Sequence, residues 1–433
     1  MVEHLVANEN VESSNLFARS KLKAFIVNNS FCASLWWNVF YKEFPVVGKK
    51  PCCNWEGPSI TSDPNNKDPN ELINHPDMQT YRQMSLRGEW PSQCIRCKTR
   101  QEQGLKSYRE TENARANVTT VDQLVNATPE VRTIDYRASN LCNLKCRMCN
   151  PAESSQLYSE MKKHPELQEH FSNPPISNSV IEIADNYEEQ DINKHIASHE
   201  LFKKLEELKI FGGEPSIDSS VHNLLEWAID NNYSKLLRLR YTTNATNTNP
   251  KWMNYHKHFR NFNVSFSLDA AGETFEYIRT PAKWNTVRKC VLDYVAMKDA
   301  IPNRRVRSHC KYSANIVYSL WSCFTIKDWH DQLINLLQDN DIAYNLAISF
   351  RKNQAVNILP QKYKDIILES IDKLPQSKFK TSAIQLTSKP APDDWKNQLK
   401  EFFTFSQKYD IIRHTSIFNL SPVYQDLYNT IKD

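Results

Sequence analysis

The chain has 433 residues, of which 40% are hydrophobic, 24% charged and 11% aromatic, the balance of a globular protein with room for a buried core. Length alone allows about two or three domains. No run of ~18 apolar residues occurs, which excludes a helical membrane span. Lys+Arg 54 against Asp+Glu 50 leaves a net charge of +4, too small a bias to imply nucleic acid, and no RNA-binding motif or strongly basic patch accompanies it.

Residues 1–30 read as a leader helix, without the basic-then-apolar order of a secretory signal, so a cytoplasmic location is expected. Residues 31–110 mix five cysteines with aromatic residues and a Pro/Asn-rich loop from Gly57 to Pro69. That composition cannot pack a large core, and a small metal-stapled module is expected. From residue 131 the texture changes to short strands separated by longer helical stretches. The expected strands are Val131–Arg137, Glu207–Phe211, Leu236–Thr243, Asn263–Leu268, Arg305–Val317 and Ala343–Phe350. Residues 155–200, rich in Glu, His, Asn and Ser, read as an insertion. Amphipathic patterns at Tyr363–Leu374 and Asp394–Phe405 predict a helical C-terminal cap. The expected division is therefore a module over 1–118, an α/β domain over 119–358 and a helical extension over 359–433.

Strands alternating with helices imply parallel βαβ units. The strands themselves alternate apolar and polar residues rather than running continuously apolar. One face gathers Arg238, Arg240, Thr242 and Asn244, then Ser265, Ser267 and Asp269, then Arg307, His309, Lys311, Ser313 and Asn315, then Asn345, Ser349 and Arg351. Two architectures fit: an open sheet with one solvated face, or an incompletely closed β/α barrel with a polar, basic lumen suited to carboxylate or phosphate ligands. Most β/α barrels fill their interior with branched apolar side chains, so a polar lumen would already be a functional feature.

Eleven cysteines, an odd number in clusters, point to reduced thiols and metal sites rather than a disulfide framework. Cys142, Cys146 and Cys149 stand in C-x3-C-x2-C spacing directly after the first expected strand of the α/β region. Three thiolates can hold three irons of a [4Fe–4S] cluster and leave the fourth iron open; a zinc knuckle with a distant fourth ligand is the alternative. Phe211-Gly212-Gly213-Glu214-Pro215 follows the second strand. In a chain with only seven glycines a Gly-Gly pair is informative, because it lets backbone approach a ligand.

The cysteine trio and the GGEP loop, in this order, resemble the radical S-adenosylmethionine superfamily. The resemblance implies a partial (β/α)6 TIM-like barrel of the α/β class. It also implies a [4Fe–4S] cluster on Cys142, Cys146 and Cys149 whose open iron chelates S-adenosylmethionine. Reductive cleavage would then give a 5′-deoxyadenosyl radical that takes hydrogen from substrate. Gly212, Gly213, Glu214 and Pro215 are implied to hold the cofactor's methionine amino group. Asn244 after Thr243, Ser267 and Asp269 of the fourth strand, Arg279 of a Tyr-Ile-Arg segment, and Ser313 and Asn315 of the fifth are implied further contacts. Met148 stands where the family usually carries an aromatic residue, and its thioether can pack on adenine.

Cys32, then Pro51-Cys52-Cys53, then Cys94 and Cys97, followed by Gly104 and Arg109, resemble the twitch domain, the shortened relative of the SPASM domain. This implies an auxiliary [4Fe–4S] cluster on Cys32, Cys52, Cys94 and Cys97, with Cys53 as the alternate to Cys52 and zinc as the alternative metal. The domain usually follows the barrel. Here it precedes it, an order shared with radical enzymes that include phage-encoded members, for which host cytoplasm would be the location. Trp36, Trp37 and Trp55 are expected to shield this site, and Cys290, Cys310 and Cys323 to be packing thiols.

The implied substrate is a peptide, a protein side chain or a small anionic metabolite, with an electron donor such as flavodoxin or ferredoxin and an auxiliary cluster that transfers electrons. Two other readings remain: a nucleic-acid- or nucleotide-modifying enzyme of the same superfamily, and a non-catalytic scaffold bearing a cluster or zinc.

Overall fold

Alternation of apolar and polar residues becomes alternation of burial in the strands. In a computed structural model, residues 31–43, 48–63, 66–102, 106–118, 122–171, 196–349 and 351–432 are described. The expected leader helix, most of the expected insertion, Gly104 and Phe350 lie outside them. Among the described residues there are eight strands: β1 (Asn38–Lys42), β2 (Gly48–Lys50), β3 (Thr133–Arg137), β4 (Glu207–Ile210), β5 (Arg238–Thr243), β6 (Asn261–Ser267), β7 (Lys311–Tyr318) and β8 (Ala343–Ile348). The chain is an α/β protein whose strands are mostly parallel. It forms two compact units, one from the described residues up to Arg137 together with 196–209, the other from 138–171 together with Ile210 onward.

In the first unit the strand order is β2-β1-β3-β4. β1 lies antiparallel to β2 and parallel to β3, with Tyr41 opposite Tyr136. Buried arginines tie the cysteine-bearing segments together. Arg82 donates from Nε to the Leu35 carbonyl at 2.8 Å and from Nη2 to that of Ile73 at 2.6 Å. Arg109 Nη1 reaches the Phe31 carbonyl at 2.6 Å. Each guanidinium satisfies carbonyls that a small core cannot pair within regular structure. β1 and β2 were not among the expected strands, because they are short and sit in a segment dominated by cysteine and aromatic residues.

In the second unit β5-β6-β7-β8 run in order and all parallel. Leu239, Tyr241, Phe262, Val264, Phe266, Tyr312, Ala314 and Ile316 are buried. The helix Ser219–Asp230 buries Val221, Leu224, Leu225 and Ala228, one stripe at helical spacing. The helix Ile326–Asp339 likewise buries Trp329, Leu333, Ile334 and Leu337. Each buried Val, Leu, Ile or Phe among them contributes roughly 1.5–3 kcal/mol by leaving water.

The opposite face carries Arg240, Thr242, Asn263, Ser265, Ser267 and Ser313 half-buried, with Lys311, Asn315 and Asn345 exposed. Register places Thr242 opposite Ser265, Ser265 opposite Ser313, and Asn315 opposite both Ser267 and Asn345. The expected polar face therefore forms, with two corrections. Residues Arg304–His309 make a helix, so Arg307 and His309 leave the sheet, and His309 is exposed. β8 ends at Ile348, so Ser349 and Arg351 also lie beyond it, Ser349 buried and donating to Gln354 Oε1 at 2.8 Å. The helical extension after 360 consists of Gln361–Asp372, Lys378–Thr387, Trp395–Arg413 and Val423–Asn429. No helix of the described residues is long and apolar enough to cross a membrane.

Candidate functional site: two thiol groups and a glycine loop

Cys142, Cys146 and Cys149 occupy a loop that backbone and hydroxyl groups hold without a regular helix or strand. The amides of Lys145 and Arg147 donate to the carbonyls of Thr280 and Ile278 at 2.7 and 2.9 Å, and that of Cys149 turns back to Cys146. Ser155 Oγ accepts from the Cys142 amide at 3.1 Å, and Ser154 Oγ donates to the Leu144 carbonyl at 2.6 Å. Both serines open the helix Ser155–Lys163, so the cap of that helix also fixes the loop.

The glycine loop packs directly on this segment. Glu214 donates its amide to the Leu141 carbonyl at 2.7 Å, and Gly213 to Ser139 at 3.4 Å. A Cβ on Gly213 would lie 2.0 Å from the Leu141 carbonyl oxygen, and Gly212 holds a φ of +122°, so both positions require glycine. Pro215 is buried at the start of a 3-10 turn that Glu214 caps. The Glu214 carboxylate is itself buried and accepts from Ser216 Oγ (2.7 Å), Ser216 N (3.2 Å), Thr243 Oγ1 (2.7 Å) and Asn244 N (2.6 Å). Burial pushes its pKa up, and those donors pull the other way. The carboxylate thus ties the glycine loop to the end of β5.

Asn244 extends the same lacing. Its Nδ2 donates to Asn143 Oδ1 at 2.8 Å, while Asn143 Nδ2 donates to Thr246 Oγ1 at 2.8 Å. Arg279, at the end of the helix Gly272–Ile278, donates from Nε to Asp269 Oδ2 at 2.7 Å and sets Nη1 3.7 Å from Cys146 Sγ. Asp269 accepts the Val317 amide with its other oxygen at 2.9 Å. Glu214, Asn244, Asp269 and Arg279 are therefore gathered with the cysteine loop. Ser267, Ser313 and Asn315 stand on the polar sheet face, where Ser313 donates to Ser265 Oγ at 3.1 Å. Met148 is half-buried between the second and third cysteines.

Burial pushes the Cys142 thiol up to about 12, and Cys146 beside it adds to the rise. Burial raises Cys149 as well, followed by Cys146 and Cys142. Burial raises Cys146, with the Arg279 charge opposing it. Three thiols raised by burial in one loop, two of them also by a neighbouring thiol, favour the protonated form unless something cationic binds among them, so the donor set fits a thiolate-bound metal group. Among the described residues no three His, Cys, Asp or Glu side chains stand in single-ion geometry.

The first unit holds a second group. Cys32, Cys52 and Cys97 are buried and Cys94 is half-buried. Burial pushes Cys32 up to about 11, with Cys97 next. Burial raises Cys52 too, followed by Cys53, Cys32, Cys97 and Cys94. Cys53 is pushed up to about 12 by burial and then by Asp135, with Arg137 and Lys209 opposing. Cys52 thus feels Cys53 and all three of the other thiols, while after burial the influences on Cys53 come from a charged cluster. In that cluster Lys209 Nζ donates to Glu112 Oε2 at 2.8 Å and to Tyr108 Oη at 3.1 Å. Of the expected shielding residues, Trp36 and Trp55 are buried, while Trp37 packs under the Arg132 guanidinium. Cys290, Cys310 and Cys323 are buried, as packing thiols should be.

Sequence reasoning missed Arg147 and Asn143, and placed Arg351 on the polar sheet face rather than at the cysteine loop. Arg147 is wholly buried, and Arg351 Nη2 donates to the Cys149 carbonyl at 3.1 Å. Arg147 carried one available signal, a cation inside a motif that was read only for its sulfurs.

No family model and no curated protein matches the sequence. Solved structures with some likeness include SuiB of Streptococcus suis bound to S-adenosylmethionine, at 14% identity and a TM-score of 0.32, covering 61% of this chain and 49% of that one. SuiB bound to the precursor peptide SuiA aligns at 13% and 0.32, covering 76% and 64%. Native anSMEcpe with bound AdoMet and the Cp18Cys peptide aligns at 13% and 0.31, covering 55% and 58%. The chain thus spans less than two thirds of the length of each of these structures. At these scores the likeness carries no argument, and the functional reading stands on the residues.

Proposed function

We propose that this chain is a radical S-adenosylmethionine enzyme, with a [4Fe–4S] cluster on Cys142, Cys146 and Cys149 and an auxiliary [4Fe–4S] cluster on Cys32, Cys52, Cys94 and Cys97. The observation that carries the reading is the docking of the glycine loop on the cysteine loop, with Gly213 packed on the Leu141 carbonyl next to the buried Cys142 and Cys146 and the half-buried Cys149. When bound, the cluster and S-adenosylmethionine together supply reductive cleavage of the sulfonium and hydrogen abstraction from substrate.

The protein's own residues have narrower tasks. Arg279 sets a positive charge beside Cys146, which favours its thiolate. Asp269 orients that guanidinium, and Glu214, Asn143 and Asn244 hold the two loops in register. Gly212 and Gly213 let the loop pack this closely on the cysteine segment, and we assign that loop to the cofactor's amino-acid end. The half-buried face of Ser, Thr and Asn side chains with Arg240 suits the amides and carboxylates of a peptide or protein substrate. We further propose the division into a module over 1–118, a partial barrel over 119–358 and an extension over 359–433.

Anaerobic reconstitution tests this. Two clusters predict about eight irons per chain, together with 5′-deoxyadenosine formed only when reductant is added. Replacing Cys142, Cys146 and Cys149 by Ala is expected to abolish that product. A colourless, zinc-loaded protein that never cleaves S-adenosylmethionine would sink the reading.

A further inference from the structure

The cysteine loop reaches the C-terminal extension at three successive points. Lys145 Nζ donates to Glu160 Oε1 at 2.7 Å, and Arg413 clasps the same carboxylate, with Nη2 2.6 Å from Oε2. Arg147 Nη2 donates to Asp410 Oδ1 at 2.6 Å and to Thr415 Oγ1 at 2.9 Å, and its Nη1 donates to the Ser406 carbonyl at 3.3 Å. Arg351, which holds the Cys149 carbonyl, has its guanidinium 5.8 Å over the Phe405 ring. Ser406, Phe405, Asp410 and Arg413 all belong to the helix Trp395–Arg413.

Arg147 is the centre of this arrangement. Its side chain has 0% exposure, its Nε donates to the Tyr277 carbonyl at 3.0 Å, and its guanidinium lies 3.7 Å over the Tyr277 ring. A lysine could not copy this fork. Asp410 is equally committed, because Oδ1 also accepts Thr415 Oγ1 at 2.9 Å and Oδ2 accepts the Ile417 amide at 2.7 Å. A buried ion pair is weak evidence for stability, since apolar residues of similar volume often serve as well. What the pair does supply is one defined path for the backbone between Cys146 and Cys149.

We propose that the helix Trp395–Arg413 is a clamp that sets the cysteine loop for its metal group, with Arg147 and Asp410 as the positioning pair. The proposal rests on the reading of Cys142, Cys146 and Cys149 as cluster ligands. It gives the C-terminal extension a task that no motif in it reveals.

The decisive variant is the double replacement Arg147→Met with Asp410→Leu, which keeps packing volume and removes the directed bonds. Thermal unfolding, iron content and the EPR spectrum of the reduced cluster, with and without S-adenosylmethionine, are measured on variant and parent, both also carrying Cys94→Ala and Cys97→Ala. The clamp predicts cooperative unfolding, loss of at least about half the iron and loss of the spectral change on adding S-adenosylmethionine. Iron content and spectrum equal to the parent's would overturn it.

A second measurement needs no substitution in the clamp. Hydrogen exchange of the parent before and after anaerobic iron loading is expected to slow at 145–149 and across 405–413 together. Slowing confined to the cysteine loop overturns the clamp even if the double variant does not fold. If the parent takes up no iron at this loop, the cluster assignment fails. The clamp is then judged on iron-free protein, where it predicts maleimide labelling of Cys146 and Cys149 about tenfold faster in the double variant, and equal rates overturn it.

Discussion

Gly213 shows how little freedom the site leaves to a single side chain. A methyl added there meets backbone at 2.0 Å, and backbone that is itself hydrogen-bonded cannot step aside as a flexible side chain would. Gly213→Ala is therefore expected to cost about 1–3 kcal/mol as an overpacked site. It is also expected to part the glycine loop from Leu141, weakening binding of S-adenosylmethionine; calorimetric unfolding and equilibrium binding to the reconstituted protein check both effects. The pair was legible because glycine is scarce in this chain and the two stand together. Arg147 was not legible, because its meaning comes from Asp410, a residue 263 positions away. The Glu214 carboxylate was foreseen as a partner for an ammonium group, yet four donors of the protein already occupy it.

The strands β5 to β7 could be read from the chain because one face is buried and the other is not, which prints a period of two on the sequence. The same rule misled at Arg304–His309, where the alternation of Lys311–Tyr318 was extended back over Arg305–His309 although Ser308 breaks it. There the local signal was Asn303, whose side chain accepts the amides of Arg305 and Val306 and starts a helix. Asp218 is a comparable joint with a second duty. One of its oxygens caps the helix Ser219–Asp230 through Ser220 and Val221, and the other accepts Ser139 Oγ at 2.5 Å, just ahead of the cysteine loop. Asp218→Ala is expected to destabilise the protein by about 1–2 kcal/mol through the lost cap, a change that denaturant titration resolves. Ser139→Ala, which spares the cap, is expected to cost less.

Two thiol groups sit in two separately compact units, so each should load metal on its own account. Replacing Cys94 and Cys97 by Ala is expected to remove about half the iron while the signals of the other cluster and cleavage of S-adenosylmethionine persist, as EPR and product analysis would register. Unchanged iron content would show that the early cysteines hold no cluster. The broad α/β class was legible from strands alternating with helices. The tie between the cysteine loop and the far end of the chain was not, because buried ion pairs leave no periodic trace in sequence. That tie also orders events in time. A ribosome delivers Arg147 long before Asp410, and until the later residue emerges a buried guanidinium has no counter-charge to receive it. The loop therefore acquires its final shape only after the helix Trp395–Arg413 has been made, and the metal group proposed for it is expected to enter after that helix emerges.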